Sequence, residues 1–185
     1  MTENTLVDKQ RQVQQTKDSD LCTWGDIMGK KSDSNVRMAF QNINGFINTN
    51  DDHKAEIIRE FLNQFEIDIF GMTEMNCNWR LTPKHLNVTE LTRGWFEHQH
   101  LTYAYNTRDR ICRVYQPGGT AILSRGEMSL RTLRSGRDSR GLGRWSWTLF
   151  RGKNQLKVRF ISVYVPNKTS AAGAKKCTTS SNRHF

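Results

Sequence analysis

The chain has 185 residues, 36% of them hydrophobic and 25% charged, with a formal net charge of +10; that length holds one ordinary domain with tails, or part of a larger one, but hardly two full domains. Mean hydropathy is −0.72, polar for a globular protein yet not depleted enough in apolar residues for a wholly disordered one, and no run approaches the roughly 20 apolar residues that cross a bilayer. The absence of a basic and apolar leader block at the start points to an intracellular chain, with nuclear residence following only from a DNA substrate.

Residues 1 to 35 are rich in Gln, Asp, Lys, Thr and Ser without apolar periodicity and read as a disordered polar leader. From Val36 the pattern changes: Val36, Met38 and Phe40 alternate with Arg37, Ala39 and Gln41, which predicts a strand with the Val36/Met38/Phe40 face buried. It ends at Asn42-Ile43-Asn44-Gly45, a turn-forming stretch. Residues 53 to 65 set Ile58, Phe61, Leu62 and Phe65 at helical spacing opposite Glu56, Arg59 and Glu60, an amphipathic helix that Asp51 or Asp52 can cap.

The run Ile67 to Met72 follows within two residues and reads as a buried strand completing a βαβ crossover. It delivers Thr73-Glu74-Met75-Asn76 at its C-terminal end, where open α/β sheets place their ligands. A second helix is expected from Pro83 to about Trp95. Strands are then expected over 100–106, 119–123, 145–151 and 155–165, the last two joined through a turn at Gly152-Lys153-Asn154. The stretch 131–145 carries Arg131, Arg134, Arg137, Arg140 and Arg144 among Gly136, Gly141 and Gly143, and reads as a flexible Arg/Gly loop ending on Trp145 and Trp147. Residues 167 to 185 read as a disordered tail.

Charge is unevenly spread. Residues 101 to 185 carry 17 Lys and Arg against 3 Asp and Glu, a balance that attracts polyanions, nucleic acid first among them, although a solvated basic surface gives the same composition. Cys22, Cys77, Cys112 and Cys177 lie far apart with no CxxC or Cys/His cluster, so free thiols are expected and a zinc site is not.

Three predicted strand ends carry polar groups: Asn42 with Asn44, Glu74 with Asn76, and Tyr164 before Val165-Pro166-Asn167. Each alone has an ordinary reading as a turn residue, a solvated carboxylate or a half-buried aromatic. In order, however, FQNINGF, IDIFGMTEMN and VRFISVYVPN resemble the motifs of the endonuclease/exonuclease/phosphatase superfamily, with the Gly118 to Leu123 run similar to its Gly-rich central strand. The closest flavour is the apurinic/apyrimidinic-type endonuclease domain of retrotransposons.

The resemblance covers residues 36 to 167 and implies an α/β fold, a two-sheet sandwich. Activity would be that of a phosphodiesterase, an endonuclease on DNA dependent on Mg²⁺ or Mn²⁺. Glu74 would be a metal ligand, Asn42 would hold the metal shell or a phosphate oxygen, and Tyr164 would bond the scissile phosphate. Asn76, Arg131, Arg134, Arg137, Arg140 and Arg144 would face nucleic acid. No Asp follows Asp138, and His184 stands in the polar tail, so the family's later Asp-x-Asn and Ser-Asp-His motifs are missing from these residues. The expectation is therefore a truncated sandwich over 36–166, catalytically incomplete, whose uncovered sheet face invites a partner supplying the missing half. The alternatives are a nucleic-acid-binding remnant and a gene fragment without a folded role.

Overall fold

The structure is a computed structural model that describes residues 29–47, 53–109 and 113–166. The chain divides into two units, residues 1–32 and 33–185, and all that follows concerns the second. The expected leader up to residue 28, the tail from 167, and Cys22, Cys112 and Cys177 lie outside the described residues.

Strand β1 (Met38–Asn42) leads into helix α1 (His53–Gln64), which returns the chain to β2 (Ile69–Thr73). β1 and β2 are parallel, with Met38 opposite Ile69 and Asn42 opposite Thr73; the βαβ unit is the one that the change from period two to period 3.6 predicts. α1 buries Ala55, Ile58 and Leu62. Phe61 packs its ring 5.8 Å from that of Phe70 on β2, so the apolar stripe seats the helix on the sheet.

The segment expected as one helix from Pro83 is broken. A 3₁₀ turn spans Lys84–Leu86, and helix α2 is only Val88–Leu91. Asn87 between them is extended (φ −68°, ψ 144°) and its side chain accepts from the Thr89 N–H at 3.2 Å. An Asx cap satisfies the start of a new helix, which is incompatible with continuing the previous one. At the other end Thr92 Oγ1 donates back to the Val88 carbonyl at 2.8 Å, and Gly94 turns the chain out.

β3 (Gln99–Ala104) and β4 (Thr120–Arg125) complete the first sheet in the order β1-β2-β4-β3, antiparallel after the first pair. The short helix α3 (Gly126–Leu130) then leads into a second, antiparallel sheet of β5 (Thr132–Arg137), β6 (Trp145–Arg151) and β7 (Lys157–Val163). β5 corrects the expectation of a flexible loop over 131–145. Glycine and arginine are poor strand formers in isolation, yet Gly136 sits directly under the Trp147 ring, where a Cβ would come within 2.6 Å of Nε1, so cross-strand packing decides the conformation. The true loop is shorter, residues 138–144.

Two apolar layers result, because alternate residues of the central strands face opposite ways. Phe70, Met72, Ala121 and Leu123 face α1 with Phe46, Trp79 and Val88, forming the main core. Ile69 and Ile122 face the second sheet and meet Phe150. Met128 and Phe160 pack against these, and polar contacts join the sheets beside them: Thr148 Oγ1 bonds Thr102 Oγ1 at 3.3 Å, and Ser162 Oγ donates to the Met72 carbonyl at 2.7 Å. Gly71 makes this close approach possible, since a Cβ there would lie 2.7 Å from Phe40 and 2.9 Å from Phe160.

The face expected to be buried on β1 is instead open. Val36, Met38 and Phe40 are 44%, 57% and 54% exposed, while Ala39, on the other face, packs against the main core. The register puts Met38 and Phe40 on the side of Ile69 and Gly71, so they do point toward the second sheet. Among the described residues that sheet has three strands and ends at β7 over β2, so β1 projects beyond it. Val158 and Val163 on β7 are likewise exposed.

Candidate functional site

The strand register brings the predicted strand ends to one edge of the sandwich. Asn42 closes β1 opposite Thr73 of β2; Thr73 stands opposite Thr120, the first residue of β4. Glu74 is the next residue after Thr73, and Tyr164 is the next after β7. The Ser162 bond to the Met72 carbonyl ties the end of β7 to the end of β2.

The backbone at this edge is held in unusual conformations. Asn44, Glu74 and Asn76 all have positive φ (45°, 53° and 52°), a region that costs non-glycine residues energy unless the surroundings impose it. The imposing bonds are visible. The Ile43, Gly45 and Phe46 amides donate to the carbonyls of Thr73, Glu74 and Met75 at 3.1, 2.6 and 2.8 Å, lacing the two turns together. Asn42 Oδ1 accepts from the Asn44 amide at 3.0 Å. From the first turn of α1, Lys54 Nζ reaches the carbonyls of Ile43, Asn44 and Gly45 at 2.9, 3.3 and 2.9 Å. Lys54 escaped the sequence reading because its partners are backbone oxygens, which no side-chain motif encodes.

Asn76 faces inward. It is 8% exposed; its amide N–H donates to the Gly118 carbonyl at 2.7 Å and its Oδ1 accepts the Gly118 N–H at 2.9 Å. Gly118 in turn carries the Tyr164 ring, since a Cβ there would lie 2.7 Å from Tyr164 Cε1. Tyr164 is fixed from its other side by its amide bond to the Arg144 carbonyl at 2.7 Å. Tyr164 thus stands on a platform made by two sequence-distant turns.

The five arginines of the 131–145 stretch separate. Arg144 and Arg140 belong to the loop beside Tyr164, and the buried Asp138 carboxylate accepts from both of their amides at 3.1 and 2.9 Å. Arg137 ends β5 opposite Ser146, on the inner face, whereas Arg134 stands opposite Leu149 on the outer face. Arg131 lies at the far end, bonded to Glu127 at 2.9 Å. The strand-end edge therefore brings together the backbone positions of Asn42, Glu74 and Tyr164, with the Arg144 carbonyl against the Tyr164 amide and Asn76 buried against Gly118.

Among the described residues no three His, Cys, Asp or Glu side chains form a group able to hold a metal ion. Glu74 is the sole carboxylate that the ends of β1, β2 and β7 contribute. Mg²⁺ keeps several waters and is commonly held by one or two carboxylates plus substrate phosphates; of these, the described strand ends offer Glu74. His100, the histidine of β3, stands opposite Ser124 near the other end of the sheet and bonds Thr102 at 3.1 Å.

No curated protein matches the chain. Among solved structures, an endonuclease/exonuclease/phosphatase family protein from Leptotrichia buccalis superposes with a TM-score of 0.49 at 13% identity, over 71% of this chain and 55% of that one. An AP endonuclease from Archaeoglobus fulgidus gives 0.46 at 18% identity, over 71% of this chain and 41% of that one. A 3′ phosphatase from Neisseria bound to product DNA hairpin gives 0.45 at 15% identity, over 70% and 41%. The chain spans about half the length of these proteins or less. The model of the Endonuclease/Exonuclease/phosphatase family matches residues 39–179, and the chain belongs to that family.

Proposed function

We propose that residues 36–166 form the N-terminal portion of a DNA-directed phosphodiesterase domain that holds a phosphate but does not hydrolyse it unaided. The observation that carries this reading is the assembly of Asn42, Glu74 and Tyr164 at one edge with a single carboxylate among them. In this reading the Tyr164 phenol donates to a non-bridging phosphate oxygen, the Asn42 amide supports the same group, and Arg140 and Arg144 neutralise its charge. Asn76 acts as a positioning residue through Gly118. The Mg²⁺ or Mn²⁺ that the family resemblance implies would take Glu74 as its carboxylate and leave most other positions to water and substrate phosphate. The other carboxylate of the loop beside Tyr164, Asp138, is buried and held by the Arg140 and Arg144 amides, and no histidine among the described residues stands at this edge to take a proton from attacking water.

The excess of 17 Lys and Arg over 3 Asp and Glu in residues 101–185 supports a second reading, a nucleic-acid-binding module without turnover. The open strip of Val36, Met38, Phe40 and Val158 is the face that a segment completing the sandwich would cover.

Incubation of the purified chain with supercoiled plasmid and Mg²⁺ or Mn²⁺, beside Glu74→Gln, tests the proposal. The expected result is no nicking above that of the variant, with retained plasmid binding in a mobility shift. Robust nicking by the wild-type chain that Glu74→Gln abolishes overturns the claim of incompleteness; loss of both nicking and binding overturns the site itself.

A further inference from the structure

The outer face of the second sheet has no place in the strand-end site. In antiparallel register Arg151 stands opposite Lys157, Leu149 opposite both Arg159 and Arg134, and Trp147 opposite Ile161 and Gly136. Alternation puts all of these on the face away from the first sheet, because their neighbours Ser146, Thr148 and Phe150 are the buried ones. The side chains enclose a groove of about 770 Å³. Its floor is Leu149 and Trp147, and its walls are four cations, Arg134, Arg151, Lys157 and Arg159. No carboxylate lines it, and no ion pair joins any of the four to an acid among the described residues.

Trp147 is fixed rather than loose. One side of the ring lies against Gly136, and the Arg159 guanidinium stacks 4.6 Å from its centroid. Stacking holds the guanidinium plane while leaving its N–H groups directed outward, an arrangement suited to oxygen acceptors. Lys157 and Arg159 are two residues apart on one strand, about 6.6 Å, comparable with the separation of neighbouring phosphates along an extended nucleic-acid strand.

We infer that this groove is a second nucleic-acid-binding surface, one that takes the sugar-phosphate backbone of a strand away from the strand-end site. Charge complementarity identifies the occupant: four uncompensated cations over an aromatic floor match a run of phosphates with intervening sugars and bases. Its location is distinct, since Arg151 and Lys157 lie at the opposite end of β6 and β7 from Tyr164. A strand bound at both places would cross the second sheet, which lengthens the footprint without adding catalytic groups.

The experiment compares two variants of the full chain by titrating labelled single-stranded and duplex 20-mers at several salt concentrations. Arg151→Gln/Lys157→Gln/Arg159→Gln removes the groove cations, and Arg140→Gln/Arg144→Gln removes those beside Tyr164. Each phosphate contact contributes about 0.7 to the slope of log affinity against log salt for single strands and about 0.9 for duplex. The groove variant is expected to flatten the slope by about two and to weaken binding at low salt by at least tenfold, independently of the other variant. A slope altered only by Arg140→Gln/Arg144→Gln overturns the groove while leaving the strand-end site standing. A footprint on the wild-type chain guards against misfolding: bound oligonucleotide should protect Lys157 from acylation, and equal labelling with and without it overturns the inference. Binding to phosphatidylserine vesicles with none to either oligonucleotide overturns it in favour of a lipid surface.

Discussion

Asn76 and Gly118 exchange two hydrogen bonds, N–H to carbonyl at 2.7 Å in one direction and N–H to Oδ1 at 2.9 Å in the other. The pair clamps the turn after β2 to the turn before β4. Because the Tyr164 ring rests on Gly118, the clamp also sets the height of the phenol at the strand-end edge. An exposed polar residue after a strand is a ready candidate for touching substrate; here burial turns it into a support.

Gly118→Ala is therefore expected to displace Tyr164 as well as to strain the turn. The position has φ +92°, which costs a residue with a side chain on the order of 1 to 3 kcal/mol, and the added methyl would collide with the ring. Asn76→Ala removes the Oδ1 acceptor and leaves a buried N–H unpaired, a loss of about 1 to 3 kcal/mol. Urea unfolding measures both, and a midpoint equal to wild type in either variant removes the clamp from the account.

Lys54 supplies the second support. Its ammonium spans three carbonyls of the turn after β1, and charge-assisted bonds of this kind contribute about 1.5 to 3 kcal/mol together with their geometry. Lys54→Met keeps the aliphatic stem and deletes the charge. It should lower stability by about 2 kcal/mol and speed hydrogen exchange at the Gly45 and Phe46 amides, which pair with β2's end. Unchanged exchange at those amides would sink this role.

His100 predicts how stability depends on pH. Burial pushes its pKa below the ordinary value, so in acid the unfolded chain, with a His pKa of about 6.5, takes up a proton more readily than the folded one. Stability then rises with pH wherever the unfolded state binds more protons. Its cost is absent above 6.5, grows as pH falls below it, and levels off below the folded pKa. Thermal melts from pH 7.5 to 5 should fall in wild type and fall less in His100→Gln; parallel profiles would show that His100 contributes nothing.

The sequence disclosed what is local. Ile58, Phe61, Leu62 and Phe65 repeat at helical spacing, Ile67 to Met72 form a short apolar run, and the structure builds α1 and β2 from them. The strand ends that carry Asn42, Glu74 and Tyr164 were also legible as strand ends, since each follows a β-patterned run. What it hid depends on distant partners. The face of β1 that stays open is decided by the width of a sheet more than 90 residues later in the chain. β5 escapes notice because Gly136 gains its reason only from Trp147, and Asn76 because Gly118 lies 42 residues away. Asn87 was readable after all: Asn followed two residues later by Thr is an Asx cap in plain sight.

Asp138 decides whether the arginine loop is shaped or merely charged. Its carboxylate is 7% exposed and accepts the amides of Arg140 and Arg144, while its own amide donates to the Trp145 carbonyl at 3.0 Å and its carbonyl accepts from Gly141 at 3.1 Å. Through Arg144 it reaches Tyr164, whose amide bonds the Arg144 carbonyl. Two half-buried bonds to a carboxylate are worth roughly 3 kcal/mol together, so Asp138→Ala should lower the melting temperature by about 10 °C for a domain of this size. Asp138→Asn keeps one acceptor oxygen and should recover part of that loss. The oligonucleotide-binding comparison separates shape from charge: if the acid only opposes phosphate, both variants bind more tightly by similar factors. If it shapes the loop, Asp138→Ala gains less than Asp138→Asn despite the same change in charge. Equal affinities for the two variants, with melts within 1 °C of wild type, would show that the loop needs no clip.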